Sequence, residues 1–308
     1  MGERYLVCEG GPNSLDMRVL DALVTRHLDV QIMPGAGENS IGSVRSWLEE
    51  RSRPNLPDGS LGPAQDVAFA VFDRNYLSFD EAQKKWKNPR HFVWLRHEIE
   101  NYLLEPRVVF SAFSYVRKTT NQEWVKGLPA TESAVRTLLE DLARPLLEEH
   151  AAQAVYFQIQ LDRRRTCPRE PGLSEMFAGN PAGTSSRESW LNALLAACRQ
   201  VSDGCRTVAA TAQEESDRQI REKYGEAVTQ VTAPEFLSTG KFLCEMDGKR
   251  LLRSLATHLR EQLGASKLSN DDFDQELVTA LVREYQPNNL FKPDEFLEIA
   301  EKIKIAVP

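Results

Sequence analysis

The sequence predicts an α/β fold: a mainly parallel sheet flanked by helices, followed by a mostly α-helical C-terminal region. Three observations predict it. Short apolar runs alternate with helix-spaced segments over roughly the first 110 residues, and those runs end at turn residues or carboxylates. From Ala130 onward the apolar residues recur at helical spacing.

The elements follow in order. RYLVCE, Arg4 to Glu9, reads as a buried strand, and Ser14 to Leu28 carries Leu15, Val19, Leu20, Leu23 and Val24 at helical spacing. DVQIMP is a second strand stopped by Pro34, and Ile41 to Arg51 is a helix. The prolines and glycines of RPNLPDGSLGP mark a loop. DVAFAVFD is a third strand ending in Asp73, FDEAQKKW is helical, and HFVWL is a short fourth strand. Strands separated by helices imply right-handed crossovers and a sheet covered on both faces.

Two helical stretches between Glu132 and Leu161 meet near Pro145, where the ring interrupts the pattern. A segment rich in Pro, Gly and Ser, near 164–186, is expected to be a mobile loop. Further helices are expected at Arg187–Val201, Thr207–Tyr224, Asp247–Leu263, Asn270–Tyr285 and Pro293–Ile303. The composition shift lies near residues 115 to 130, giving a sheet domain over 1–115 and a helical domain over 116–308.

Composition narrows the function classes. A net charge of -7 over 308 residues argues against holding nucleic acid by overall charge, so any polyanion site must be local or assisted by metal ions. The five cysteines are scattered, without a C-x-x-C pair, which disfavours a disulfide framework or zinc knuckle and suits a reducing, cytoplasmic setting. No apolar run reaches the ~18 residues of a membrane span, and no signal-peptide or myristoylation pattern is read at the N-terminus. His27, His150 and His258 fall within helical patterns and read as packing or surface residues.

Acidic residues collect at the strand ends. Ligands of an open parallel sheet bind beyond the carboxyl ends of its strands, and there the sequence delivers Glu9, Asp73, and Glu98 with Glu100. Carboxylates on one rim repel unless a cation sits among them, and hard oxygen ligands suit Mg²⁺ or Mn²⁺. Taken singly, each is also compatible with a helix cap or loop residue. PGAGENSIGS lacks the glycine-lysine of a P-loop and reads as a tight strand-to-helix turn; TGKF (Thr239–Phe242) and DGKR (Asp247–Arg250) fail the Walker pattern too.

VCEGG and FDRN resemble the TOPRIM module of topoisomerases, primases and OLD-type nucleases, with E-G after one strand and D-x-D after a later one. RHEIENYLLEP, Arg96 to Pro106, is similar to a segment of a TOPRIM-like domain-of-unknown-function family of bacterial anti-phage systems, which includes the PARIS nuclease subunit. The resemblance covers about residues 4 to 110. It implies Glu9 as general acid or base and Asp73 as a metal ligand. The second aspartate of D-x-D falls on Asn75, which can offer a carbonyl oxygen but no charge, and Glu98 or Glu100 is expected to supply what is missing.

Arg74, Arg96 and His97 lie close to these positions in sequence and are candidates for holding phosphate oxygens. Lys84, Lys85, Lys87 and Arg90 around Trp86 could guide a nucleic-acid backbone, although a solvated helix face explains them as simply, with Trp86 in the core. The expectation is a Mg²⁺- or Mn²⁺-dependent nuclease acting on RNA or DNA, the effector of an anti-phage system controlled by an ABC-type ATPase partner. Exposed helical faces are compatible with a homodimer, the oligomeric state itself is not read from the sequence, and no membrane is expected. The alternative is a non-catalytic interaction subunit with a degenerate TOPRIM site.

Overall fold

The computed structural model describes residues 2–22, 28–85, 88–119, 123–164, 187–203, 210–262, 270–284 and 294–305. The expected loop near 164–186 lies, from residue 165 on, outside them, as do His27, Trp86 and Lys87. The protein is α/β, with a four-stranded, all-parallel sheet of β1 (Arg4–Cys8), β2 (Gln31–Pro34), β3 (Val67–Phe72) and β4 (His91–Val93).

Sheet order is β2-β1-β3-β4. The chain leaves β1 through α1 (Leu15–Leu20) to β2 on one side. It then crosses by α2 (Glu38–Arg51) to β3 on the other side of β1, and α3 (Phe79–Lys85) leads to β4. The winding direction therefore reverses between β1 and β3, which opens a crevice beyond their carboxyl ends.

Burial explains why the strands read as continuous apolar runs. Tyr5, Val7, Ala68 and Ala70 form one core with Ile41 and Leu48 of α2. Leu6, Phe69, Val71 and Phe92 alternate with them along the strands and are also buried, so both faces are covered. Phe69 and Phe92 stack across β3 and β4 with centroids 6.0 Å apart. Within PGAGENSIGS, residues 35–37 form the short turn between β2 and α2 and the rest from Glu38 opens α2; the turn is tied back to β1 where the Gly35 and Gly37 N–H groups donate to the Cys8 and Glu9 carbonyls at 2.7 and 2.8 Å.

Whereas composition changes near residues 115 to 130, the compact units divide at Thr137 and again at Met246: Met1–Thr137 with Asp247–Pro308, and Leu138–Met246. In the first unit, β4 leads into α4 (Glu100–Leu103) and α5 (Pro106–Thr119), which buries Val108, Val109, Ala112 and Phe113. α6 (Glu132–Ala143) begins in this unit, and a 3₁₀ turn containing Pro145 connects it to α7 (Leu147–Arg164), the break expected from the proline.

The second unit is helical. α7 packs on α8 (Arg187–Asp203) and α9 (Ala210–Thr232), burying Tyr156, Trp190, Leu194 and Tyr224. Two short helices follow, α10 (Pro234–Ser238) and α11 (Phe242–Glu245), and the His150 ring of α7 stacks on Phe236 at 6.0 Å. No described helix is long and apolar enough to cross a membrane.

The chain then rejoins the first unit. α12 (Gly248–Gln262) packs on α4, and α13 (Asn270–Arg283) packs on α5, α4 and α12. α14 (Asp294–Ile305) sets Phe296 against Trp94 and Tyr102, with centroid separations of 4.8 and 5.1 Å.

Candidate functional site

Glu9 follows β1 and Asp73 follows β3, so both stand at neighbouring strand ends beside the crevice. Glu9 Oε1 accepts the Asp73 backbone N–H at 2.8 Å. The E-G pair has a local reason. A Cβ on Gly10 would lie 1.9 Å from Ser14 Oγ and 2.5 Å from an Asp16 carboxylate oxygen, so glycine lets α1 begin directly over the strand end. Ser14 caps α1 by accepting the Met17 N–H at 3.4 Å. Gly11 meets nothing and neither glycine has positive φ, so close approach, rather than a left-handed turn, is what Gly10 serves.

The third contribution comes from the turn before α4 and the first residue of that helix. Glu98 and Glu100 are both buried, and the Glu98 N–H donates to Asn101 Oδ1 at 2.9 Å. Three residues that the sequence did not mark for the site complete it. Asp16 enters from the first turn of α1. Asp247 caps α12, its Oδ1 accepting the Arg250 N–H at 2.8 Å. Lys249 Nζ lies 3.0 Å from Glu98 Oε1, 3.7 Å from Asp73 Oδ2 and 3.8 Å from Glu100 Oε2.

The start of α12 is locked in place. The Lys249 N–H donates to Glu98 Oε2 at 3.2 Å. A Cβ on Gly248 would lie 2.6 Å from Asn101 Oδ1 and 2.8 Å from the Asn101 nitrogen, so only glycine allows this approach of α12 to α4. The GK of DGKR thus has a role unrelated to a Walker loop.

Electrostatics follow from burial. Desolvation holds Asp73 well above the usual carboxylate range, raises Asp16 and Asp247, and pushes Glu100 up to about 8, with neighbouring Glu98 adding to each. Burial works against the Lys249 ammonium, but Glu100, Glu98 and Asp73 together outweigh it and raise its pKa. The cluster carries more acid than one ammonium balances.

The remaining expected residues divide. His97 is 2% exposed, and neither ring nitrogen has a hydrogen-bond partner; Nδ1 stands 3.9 Å from Glu98 Oε1, and the Tyr76 ring meets the imidazole edge-on at 4.5 Å. Burial first, then the Arg74 and Lys249 charges against the opposing pull of Asp247, lower its pKa to about 3, so the ring is neutral. Arg74 is buried as well, so neither presents an open phosphate contact in this conformation.

Arg96 turns to α4 and α5, donating to the Asn101 carbonyl at 2.9 Å and to Glu105 at 2.8 Å. Asn75 has φ of 51°, a left-handed conformation that asparagine tolerates better than most residues, and its N–H donates to the His97 carbonyl at 2.9 Å. Backbone geometry therefore accounts for an asparagine here. Lys84 and Lys85 end α3, and Arg90 pairs with Glu49 at 2.9 Å.

The donor set suits a hard cation by three signs: carboxylate oxygens, a buried Glu100 Oε2 without a hydrogen-bond partner, and an ammonium standing where an ion would be shared. As they stand, no three His, Cys, Asp or Glu side chains among the described residues are grouped to ligate one metal ion. Asp73, Glu98 and Glu100 are arranged around Lys249 instead. Compared with known proteins, the chain matches no family model and has no significant match among curated proteins.

A pH dependence follows. Glu100, Asp73, Asp16 and Asp247 hold protons more tightly when folded, so ionisation favours the unfolded chain. Their contribution to stability is full below about pH 4 and is lost as pH rises towards the folded values, about 8 for Glu100. Lys249 stays charged throughout and adds no slope. Thermal denaturation in EDTA is expected to give a lower Tm near pH 8.5 than near pH 7, at constant ionic strength, a window above the usual histidine range in which the opposing gain from His97, whose pKa is lowered to about 3, is already largely complete. A flat or rising profile would show that the carboxylates are neutralised otherwise.

Proposed function

We propose that the chain is a divalent-metal-dependent nuclease hydrolysing phosphodiesters of RNA or DNA. The observation that carries this reading is the meeting of Asp73, Glu98 and Glu100 around one cationic position at the switch in the sheet, with Glu9 bonded to the Asp73 backbone beside them. Asp73, Glu98 and Glu100 would hold Mg²⁺ or Mn²⁺, which when bound neutralises charge on a phosphoryl group and lowers the pKa of water. Glu9, oriented by the Asp73 N–H, takes a proton from the attacking water or returns one to the leaving oxygen. The resemblance carried by VCEGG, FDRN and RHEIENYLLEP supports a place in anti-phage defence, as an effector restrained in the cytoplasm by an ABC-type ATPase.

A second reading has its own support. The Lys249 ammonium already occupies the cationic position and Asn75 brings no charge, as expected of a non-catalytic interaction subunit. A cleavage assay on DNA and tRNA separates the two. Wild type is expected to cut one of them with Mg²⁺ or Mn²⁺ and to stop in EDTA. Asp73→Ala is expected to abolish both cleavage and calorimetric Mn²⁺ binding, with metal-free Tm level or higher because a repelling buried charge is gone. Unchanged Mn²⁺ affinity in Asp73→Ala would remove Asp73 from the site, and no cutting by wild type would leave the interaction reading.

A further inference from the structure

We propose that Lys249 is a resident, displaceable counter-ion: its ammonium closes the carboxylate site, and a divalent ion enters by expelling it. This rests on the reading above that the site takes a metal. The ammonium lies within 4 Å of Asp73, Glu98 and Glu100, the three groups that would be ligands. A metal and a full charge on the lysine cannot share that point.

Exposure shows which part can move. The Lys249 side chain is 53% exposed, against 9%, 8% and 7% for Asp73, Glu98 and Glu100, so the ammonium reaches inward from solvent at the mouth of a buried acidic pocket. Its backbone is fixed, because the N–H is bound to Glu98 and Gly248 is wedged against Asn101. Release therefore needs only rotation of the four-carbon stem, without unwinding α12.

Two further groups point to an absent occupant. Glu100 Oε2 is buried with no hydrogen-bond partner, and the imidazole of His97, 2% exposed, has neither nitrogen hydrogen-bonded while Nδ1 lies 3.9 Å from Glu98 Oε1. Lysine satisfies charge but leaves these atoms unmatched. The device keeps the site folded without metal and makes loading a competition, so the ion concentration needed for half-occupancy is raised while the shape of the binding curve is unchanged.

The test is Mn²⁺ binding by calorimetry, without nucleic acid, for wild type, Lys249→Met and Lys249→Arg. Lys249→Met is expected to bind Mn²⁺ at least ~10-fold tighter, the least that removing a unit charge within about 4 Å should give. Lys249→Arg, which keeps the charge, should stay close to wild type or bind more weakly. If Lys249→Met is unfolded without metal, restoration of its circular dichroism by Mn²⁺ supports displacement, and no restoration overturns it. Equal or weaker binding by a folded Lys249→Met overturns the proposal while leaving the metal reading intact. Absence of Mn²⁺ binding by all three proteins overturns the metal reading itself, and the proposal with it.

Discussion

Glu9→Gln is expected to slow metal-dependent cleavage by ~10²-fold or more, the range of a general acid or base, while the protein stays folded and binds metal. The amide keeps an oxygen that can accept the Asp73 N–H, now bonded to Glu9 Oε1 at 2.8 Å, so the crossing from β1 to β3 is preserved. What disappears is the group proposed to transfer the proton. The Glu9 charge also raises the Asp73 pKa, so its removal should ease Asp73 ionisation and leave metal-free stability level or higher. The measurements are single-turnover cleavage at saturating Mg²⁺, Mn²⁺ calorimetry and thermal denaturation. A folded, metal-bound Glu9→Gln protein that cuts at the wild-type rate would reduce Glu9 to a cap on the neighbouring strand.

Trp94→Ala is expected to cost ~3–5 kcal/mol, the usual range for truncating a buried aromatic side chain. Trp94 follows β4, is buried, and contacts Tyr102 at 5.5 Å and Phe296 at 4.8 Å. The Tyr102 hydroxyl donates to Glu295 at 3.0 Å, so α4 and α14 are pinned at the same place. Removing the indole leaves a cavity under both helices. Because the chain has two compact units, unfolding should be followed by a probe of the sheet unit rather than by total helicity. Trp94→Phe should recover part of the loss, and a cost below ~1 kcal/mol for Trp94→Ala would mean that α14 is anchored elsewhere.

The strands were legible because parallel strands buried on both faces have to be apolar throughout, and Glu9 and Asp73 because a carboxylate ending such a run stands out. Strand order was not. Nothing local in RYLVC or VAFAVF says that β1 and β3 are neighbours, yet that adjacency brings the two acids together. Val108, Val109, Ala112 and Phe113 had helical spacing, but a composition shift nearby drew attention to a boundary rather than to α5.

The opening residues of α12 were harder. Asp247, Gly248 and Lys249 were legible as the start of a helix and as a failed nucleotide motif but not as part of the site, since Lys249 acts on a glutamate 151 positions earlier. The one available signal was global: a rim with that much acid requires a cation from somewhere in the chain. Asp16 was hidden by its helix, where an acidic first-turn residue already has an ordinary explanation in the helix dipole.

The return of the chain at Asp247 also sets an order of events during translation. Glu98 leaves the ribosome 151 codons before Lys249, a delay of roughly 10–30 s at ordinary elongation rates. Throughout that interval the nascent sheet carries its acids without their counter-charge, and Trp94 has no Phe296 to cover it. Docking of the rim must therefore follow synthesis of the interposed helices, so a nascent chain halted before Asp247 should expose the sheet unit to protease while a released chain protects it.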